Sequence, residues 1–249
     1  MTGASVPDGA RASSGTDARG TGSTLAVIPV GATEQHGPHL PFETDTLLAT
    51  ATARELAETA SRSAPAAGRD VRVLPAVAYG ASGEHQSFPG TVSVGTDALA
   101  EVILELGRSV STWADRLLIV NGHGGNVEAL RRAIARLRYE GRDAGWLSCR
   151  TSEHSGDTHA GHAETSLMLH LHPELVRTDL AEPGCTAPLT QILPAMRAGG
   201  VAAVSSNGVL GDPTTATAVE GRRLWDLLVA DASRRLGAWQ PGSDDGMLR

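Results

Sequence analysis

The chain has 249 residues, 41% of them hydrophobic and 20% charged. That is enough for one α/β domain with a substantial core, and too apolar for disorder through most of its length. Its 21 basic and 28 acidic residues leave a net charge of −7, which gives no general attraction for nucleic acid or an anionic membrane surface. All the cations are arginine; lysine is absent. This excludes a pyridoxal Schiff base, a lysine nucleophile and a phosphate loop ending in Gly-Lys-Ser/Thr. The two cysteines, Cys149 and Cys185, do not make the framework of a secreted disulfide scaffold. No apolar run approaches the roughly 18 residues of a membrane-spanning helix, and a cytoplasmic location is expected.

Residues 1–23 are polar and low in complexity, and are expected to be a disordered leader. The apolar run 25–30 predicts a buried strand. Thr44 or Asp45 is placed to cap a helix through 47–60, which Pro65 and Gly68 break. A second strand is expected over 71–77 in spite of Pro75, then a loop rich in Gly, Ser and Pro over 79–95. Next come a helix from Thr96 or Asp97 to Ala114, a strand over 116–120, a helix over Val127–Tyr139 and a strand over 144–149. Residues 162–172 read as a helix stopped by Pro173, 189–198 as a short helix, 201–205 as a short strand and 217–236 as a long amphipathic helix. Residues 239–249 are expected as a polar tail, so the domain spans 24–238. Strands alternating with helices predict a single α/β domain with a mainly parallel sheet flanked by helices.

Four clusters hold most of the polar residues that can do chemistry. The first is GATEQHGPH after the first strand, with Glu34, His36 and, nine residues beyond His36, Asp45. The second is SGEHQSFPGT with Glu84 and His85; the third is NGHGGN with His123, Gly124 and Gly125, directly after the strand RLLIV. The fourth is HAGHAETS, with His159, His162 and Glu164 at a helix entry. Ligands of parallel α/β sheets bind at the carboxyl ends of strands, and the first and third clusters sit there. Imidazoles with carboxylates and no thiolate suit zinc, manganese or iron, and a carboxylate can bridge two such ions. Taken singly, each cluster also reads as something plainer: NGHGGN as a glycine turn, Glu84 and His85 as an ion pair, His39 as a supporting or surface residue. Six of the nine histidines fall in these clusters, which favours the joint metal reading.

Together, VGATEQHGPHLPFETD, SGEHQSFPGT, NGHGGN and HAGHAETS resemble the signature set of the creatininase family of amidohydrolases, in the family's order, from about residue 25 to 236. The stretch GGVAAVSSNGVLGDPTTATAVEGRRLW resembles a branch whose members are peptidases acting on a ribosomally made precursor peptide. The resemblance implies a creatininase-like fold and a cytoplasmic homo-oligomer with two divalent metal ions (Zn, Fe or Mn) per chain. Glu34, His36, Asp45, His123 and Glu164 match the ligand positions, with Asp45 as the bridge, and His159 matches the proton-transfer histidine near the leaving amine. Glu84, His85, Gly124 and Gly125 are expected to meet substrate. The branch implies cleavage of a modified precursor peptide before its C-terminal Val-Tyr. The alternatives are a small cyclic amide or formamide as substrate, and a metal-binding protein without turnover. In one departure, creatininase carries a glutamate ligand two residues after the third cluster's histidine, where this chain has Gly125. That position is expected to leave room beside the metals.

Overall fold

The computed structural model describes residues 23–63, 70–149 and 157–249. The expected leader up to residue 22, Pro65 and Gly68 lie outside the described residues. Four strands, β1 (Thr24–Val30), β2 (Asp70–Val73), β3 (Arg116–Asn121) and β4 (Ala144–Ser148), form one parallel sheet in the order β2-β1-β3-β4. Leu25 pairs with Val71 on one side and Arg116 on the other. A continuous apolar run is what a strand covered on both faces requires, and β1 obeys it. Leu25 and Val27 bury with α1 (Thr44–Ser63), α4 (His162–Leu171) and α6 (Ala218–Ala238); Ala26, Ile28 and Val30 bury with α2 (Thr96–Val110) and α3 (Val127–Tyr139). The capping sequence Thr217-Ala-Val-Glu220 starts α6, with Thr217 Oγ1 accepting from the Glu220 N–H at 3.1 Å.

The chain order locates the site. After β1 the sheet grows to one side through β2, and after that to the other side through β3 and β4. The order therefore reverses between β1 and β3, and the crevice outside their carboxyl ends is where such sheets bind ligands.

Three expectations differ from the structure. The second strand ends at Val73, because Pro75 has no N–H for a ladder; Val77 returns only as an isolated bridge to Val30. The expected strand over 201–205 is a 3₁₀ turn, Val201–Ala203, entered from Gly200 at φ 71° at the end of α5 (Leu189–Gly199). Val201 is apolar because it buries against Ile192 and Leu210, not because it pairs in a sheet. The final residues are not a free tail: Leu248 is fully buried, and its N–H donates to the Trp146 carbonyl at 2.8 Å while the Trp146 N–H donates to Gly246 O at 3.1 Å. One buried leucine and the open hydrogen bonds of the β4 edge outweigh the polar composition around them. Both cysteines are free thiols. Among the described residues no helix is long and apolar enough to cross a membrane.

Candidate metal centre

The two strand exits carry glycines that let α1 approach. A Cβ at Gly31 would lie 2.4 Å from Thr46 N, and one at Gly122 would lie 2.2 Å from Asp45 O. The first turn of α1 therefore sits against both loops and brings Asp45 between them. Its Oδ1 is 3.4 Å from His36 Nε2 and its Oδ2 is 3.3 Å from His123 Nδ1. Asn126 ties three loops together. Its amide nitrogen donates to Gly31 O at 2.9 Å and Asn121 Oδ1 at 3.1 Å, and its oxygen accepts from Ala81 N at 2.9 Å.

The imidazoles divide by the partner of each ring's second nitrogen. His36 Nδ1 donates to Glu34 O at 3.1 Å, His123 Nε2 to Ala81 O at 3.2 Å and His159 Nε2 to Gln35 O at 2.8 Å. A ring that donates one N–H to a backbone carbonyl has its other nitrogen free as a ligand or base. His85 is different: its Nδ1 accepts from the Gln35 amide at 2.8 Å, so the neutral ring carries its proton on Nε2, 3.4 Å from Glu34 Oε1. The His159 ring stands 4.3 Å, centroid to centroid, from both His36 and His85.

Glu34 is fully buried, and neither of its oxygens has a hydrogen-bond partner; nor do His36 Nε2 and Asp45 Oδ2. A buried carboxylate left this way is costly, and a cation is the natural partner for the convergent lone pairs. Among the described residues, three sets of donor atoms lie close enough to hold an ion: Glu34, Asp45 and His123; His36, His159 and Glu164; and Glu34, His85 and His159. The donor chemistry is nitrogen and oxygen only, which fits zinc, manganese or iron. Charges respond to this crowding. Burial acts to lower the His36 pKa, but Asp45, Glu164 and Glu34 lift it to about 9. Burial pushes Glu164 up to about 7 and His85 down to about 4. Burial and the neighbouring His36 and His85 hold His159 well below the usual imidazole range.

The structure thus brings together all five residues expected as ligands. It also places His159, expected as the proton-transfer group, within ligand distance of two sets. Glu84, His85, Gly124 and Gly125 line the same cavity, of about 290 Å³. One expectation fails: Gly125 leaves no open room. A Cβ there would lie 2.4 Å from Ala81 O and 2.6 Å from Glu84 Oε1, so the Glu84 carboxylate and the 81–84 backbone fill that space. Gly124 alone faces open space. His39 lies outside the donor sets, with its Nε2 2.8 Å from Thr165 Oγ1, and His162 contacts Thr215. Sequence reasoning passed over Gln35, whose place between Glu34 and His36 was the available signal. It also read the leucines of α5 only as helix.

A parallel sheet with a carboxylate–imidazole cluster at its switch point makes this an α/β protein with a candidate metal centre. The chain belongs to the creatininase family: the family model described as creatinine amidohydrolase matches residues 13–236. It is 57% identical to the mycofactocin precursor peptide peptidase of Mycobacterium ulcerans (strain Agy99) over 222 residues, covering 89% of this chain and 88% of the relative. The protein of the same name in Mycobacterium tuberculosis (strain ATCC 25618 / H37Rv) is 57% identical over 227 residues, 91% and 89% of the two chains. The creatinine amidohydrolase of Pseudomonas putida is 30% identical over 249 residues, with 86% and 90% covered. A manganese creatininase structure superimposes with a TM-score of 0.70 at 28% identity, covering 89% and 93%.

Proposed function

We propose that this chain is a metal-dependent peptidase that releases the modified C-terminal Val-Tyr dipeptide from the mycofactocin precursor peptide during mycofactocin biosynthesis. The chemistry rests on one observation: Glu34 is buried with no hydrogen bond to either oxygen, and the free nitrogens of His36, His123 and His159 face the Asp45 and Glu34 carboxylates. The substrate assignment is supported by the 57% identity to peptidases of that name, against 30% to a creatinine amidohydrolase. The reading includes a cytoplasmic homo-oligomer, as the family resemblance implies.

Glu34, His36, Asp45, His123 and Glu164 would hold two divalent ions, zinc, iron or manganese, with Asp45 shared. Such ions, when bound, supply Lewis acidity toward the scissile carbonyl and toward a water. The remaining chemistry belongs to the chain. His159 Nε2 is committed to Gln35 O, so Nδ1 is the atom that moves the proton. The ring starts neutral, takes a proton from the attacking water as the C–O bond forms, and delivers it to the departing nitrogen as the C–N bond breaks. Glu84, His85, Gly124 and Gly125 line the cavity that receives the substrate. Mass spectrometry of the purified protein with maturase-modified precursor peptide, and separately with creatinine, tests this. The dipeptide-derived fragment is expected from the first incubation only; creatinine turnover with an intact peptide overturns the assignment.

A further inference from the structure

The cavity has two unlike walls. One is the charged cluster at the sheet edge; the other is helix α5, which contributes Leu189, Leu193 and Met196. These positions are spaced i, i+4, i+7, so they form one stripe along the helix. The fold explains only part of it. Ile192 is the α5 residue that buries into the small apolar cluster with Val201 and Leu210, and Leu189 and Met196 lean on that cluster from its edge. Leu193 belongs to none of the three apolar clusters of the described residues, is half-buried, and lines the cavity. It therefore presents apolar surface to the site from outside those clusters.

The helix is held close to the reacting groups. Its capping residue, Gly200, approaches so near that a Cβ there would lie 2.6 Å from Glu84 O. At its other wall, Leu210 pairs with His159 through an isolated antiparallel bridge. The cavity, about 290 Å³, is at the small end of ligand sites, which run from roughly 300 to 1,000 Å³. It is of a size for a dipeptide-sized group.

We infer that α5 reads the released C-terminal group: Leu193, flanked by Leu189 and Met196, takes its aromatic or branched aliphatic side chain. This deepens, and rests on, the peptidase reading above. Specificity then comes from desolvating an apolar group beside the metal cluster, and peptides ending in charged or small side chains lose that contact.

Steady-state kinetics of wild type, Leu193→Ala and Leu193→Met on maturase-modified precursor peptide test it, with metal content and melting temperature measured alongside. Trimming a hydrophobic subsite costs about 10-fold or more. Leu193→Ala should raise KM by that factor with kcat, metal content and melting temperature near wild type, and Leu193→Met, which conserves volume, should recover most of it. An unchanged KM in Leu193→Ala overturns the subsite while the peptidase reading stands. Loss of metal or of melting temperature in both variants also overturns it, by making Leu193 structural. A wild-type protein that leaves the peptide intact removes the function, and the subsite falls with it.

Discussion

Removing the metal ions should destabilise this protein, and Glu34 sets the scale. Both its oxygens are buried without a hydrogen-bond partner. Each unsatisfied buried acceptor costs about 1–3 kcal/mol, more when charged, so emptying the site exposes about 2–6 kcal/mol of strain at this one side chain. For a domain of this size about 1 kcal/mol corresponds to about 2–4 °C in melting temperature. Chelation should therefore lower the melting temperature by about 4–24 °C, and re-addition of zinc or manganese should restore it. Glu34→Gln removes the charge and gives the residue a donor of its own, so its chelator-dependent shift should shrink. Calorimetry with and without chelator, with elemental analysis of the same samples, is the assay. A protein stripped of metal that still melts within about 1 °C of the loaded form would show that the orphaned carboxylate is not waiting for a cation.

Asp45→Ala, which removes the carboxylate between His36 and His123, should empty the site and abolish turnover while leaving the far-ultraviolet circular dichroism unchanged; near wild-type metal content would refute its bridging place. His159→Ala should keep metal and lower turnover by about 10²–10⁴-fold, the range of a general acid–base group, whereas lost metal would make His159 a ligand. Because His36 is held at about 9 in the metal-free site, metal must displace its proton: apparent affinity should rise with pH up to about 9 and loading should release protons. Titration calorimetry in buffers of different ionisation enthalpy reads this, and pH-independent affinity would contradict it. Leu248→Ala should cost about 2–5 kcal/mol by denaturant unfolding without changing metal content; a loss below about 0.5 kcal/mol would mean that the terminal segment contributes no packing.

The α/β architecture was legible along the chain, because alternating apolar runs and amphipathic stretches leave few ways to bury both faces of a strand such as β1. The clusters after β1 and β3 also drew attention to Glu34, His36 and His123, and the resemblance to the creatininase family implied Asp45 and Glu164 as ligands with them. Three things were decided only by tertiary structure. Whether an apolar residue serves a strand or a cluster depends on its neighbours, which is why Val201 proved to lie in a turn and Leu248 in the core. Which nitrogen of an imidazole is free depends on a carbonyl that folding brings near, as Ala81 O is brought to His123. Whether a glycine means space depends on what fills it: at Gly125 the Glu84 carboxylate does, 41 residues away in the chain. Local sequence carries backbone preference and pattern. Contact between distant segments exists only once the chain has closed, and the charge, tautomer and volume of this site are set by such contacts.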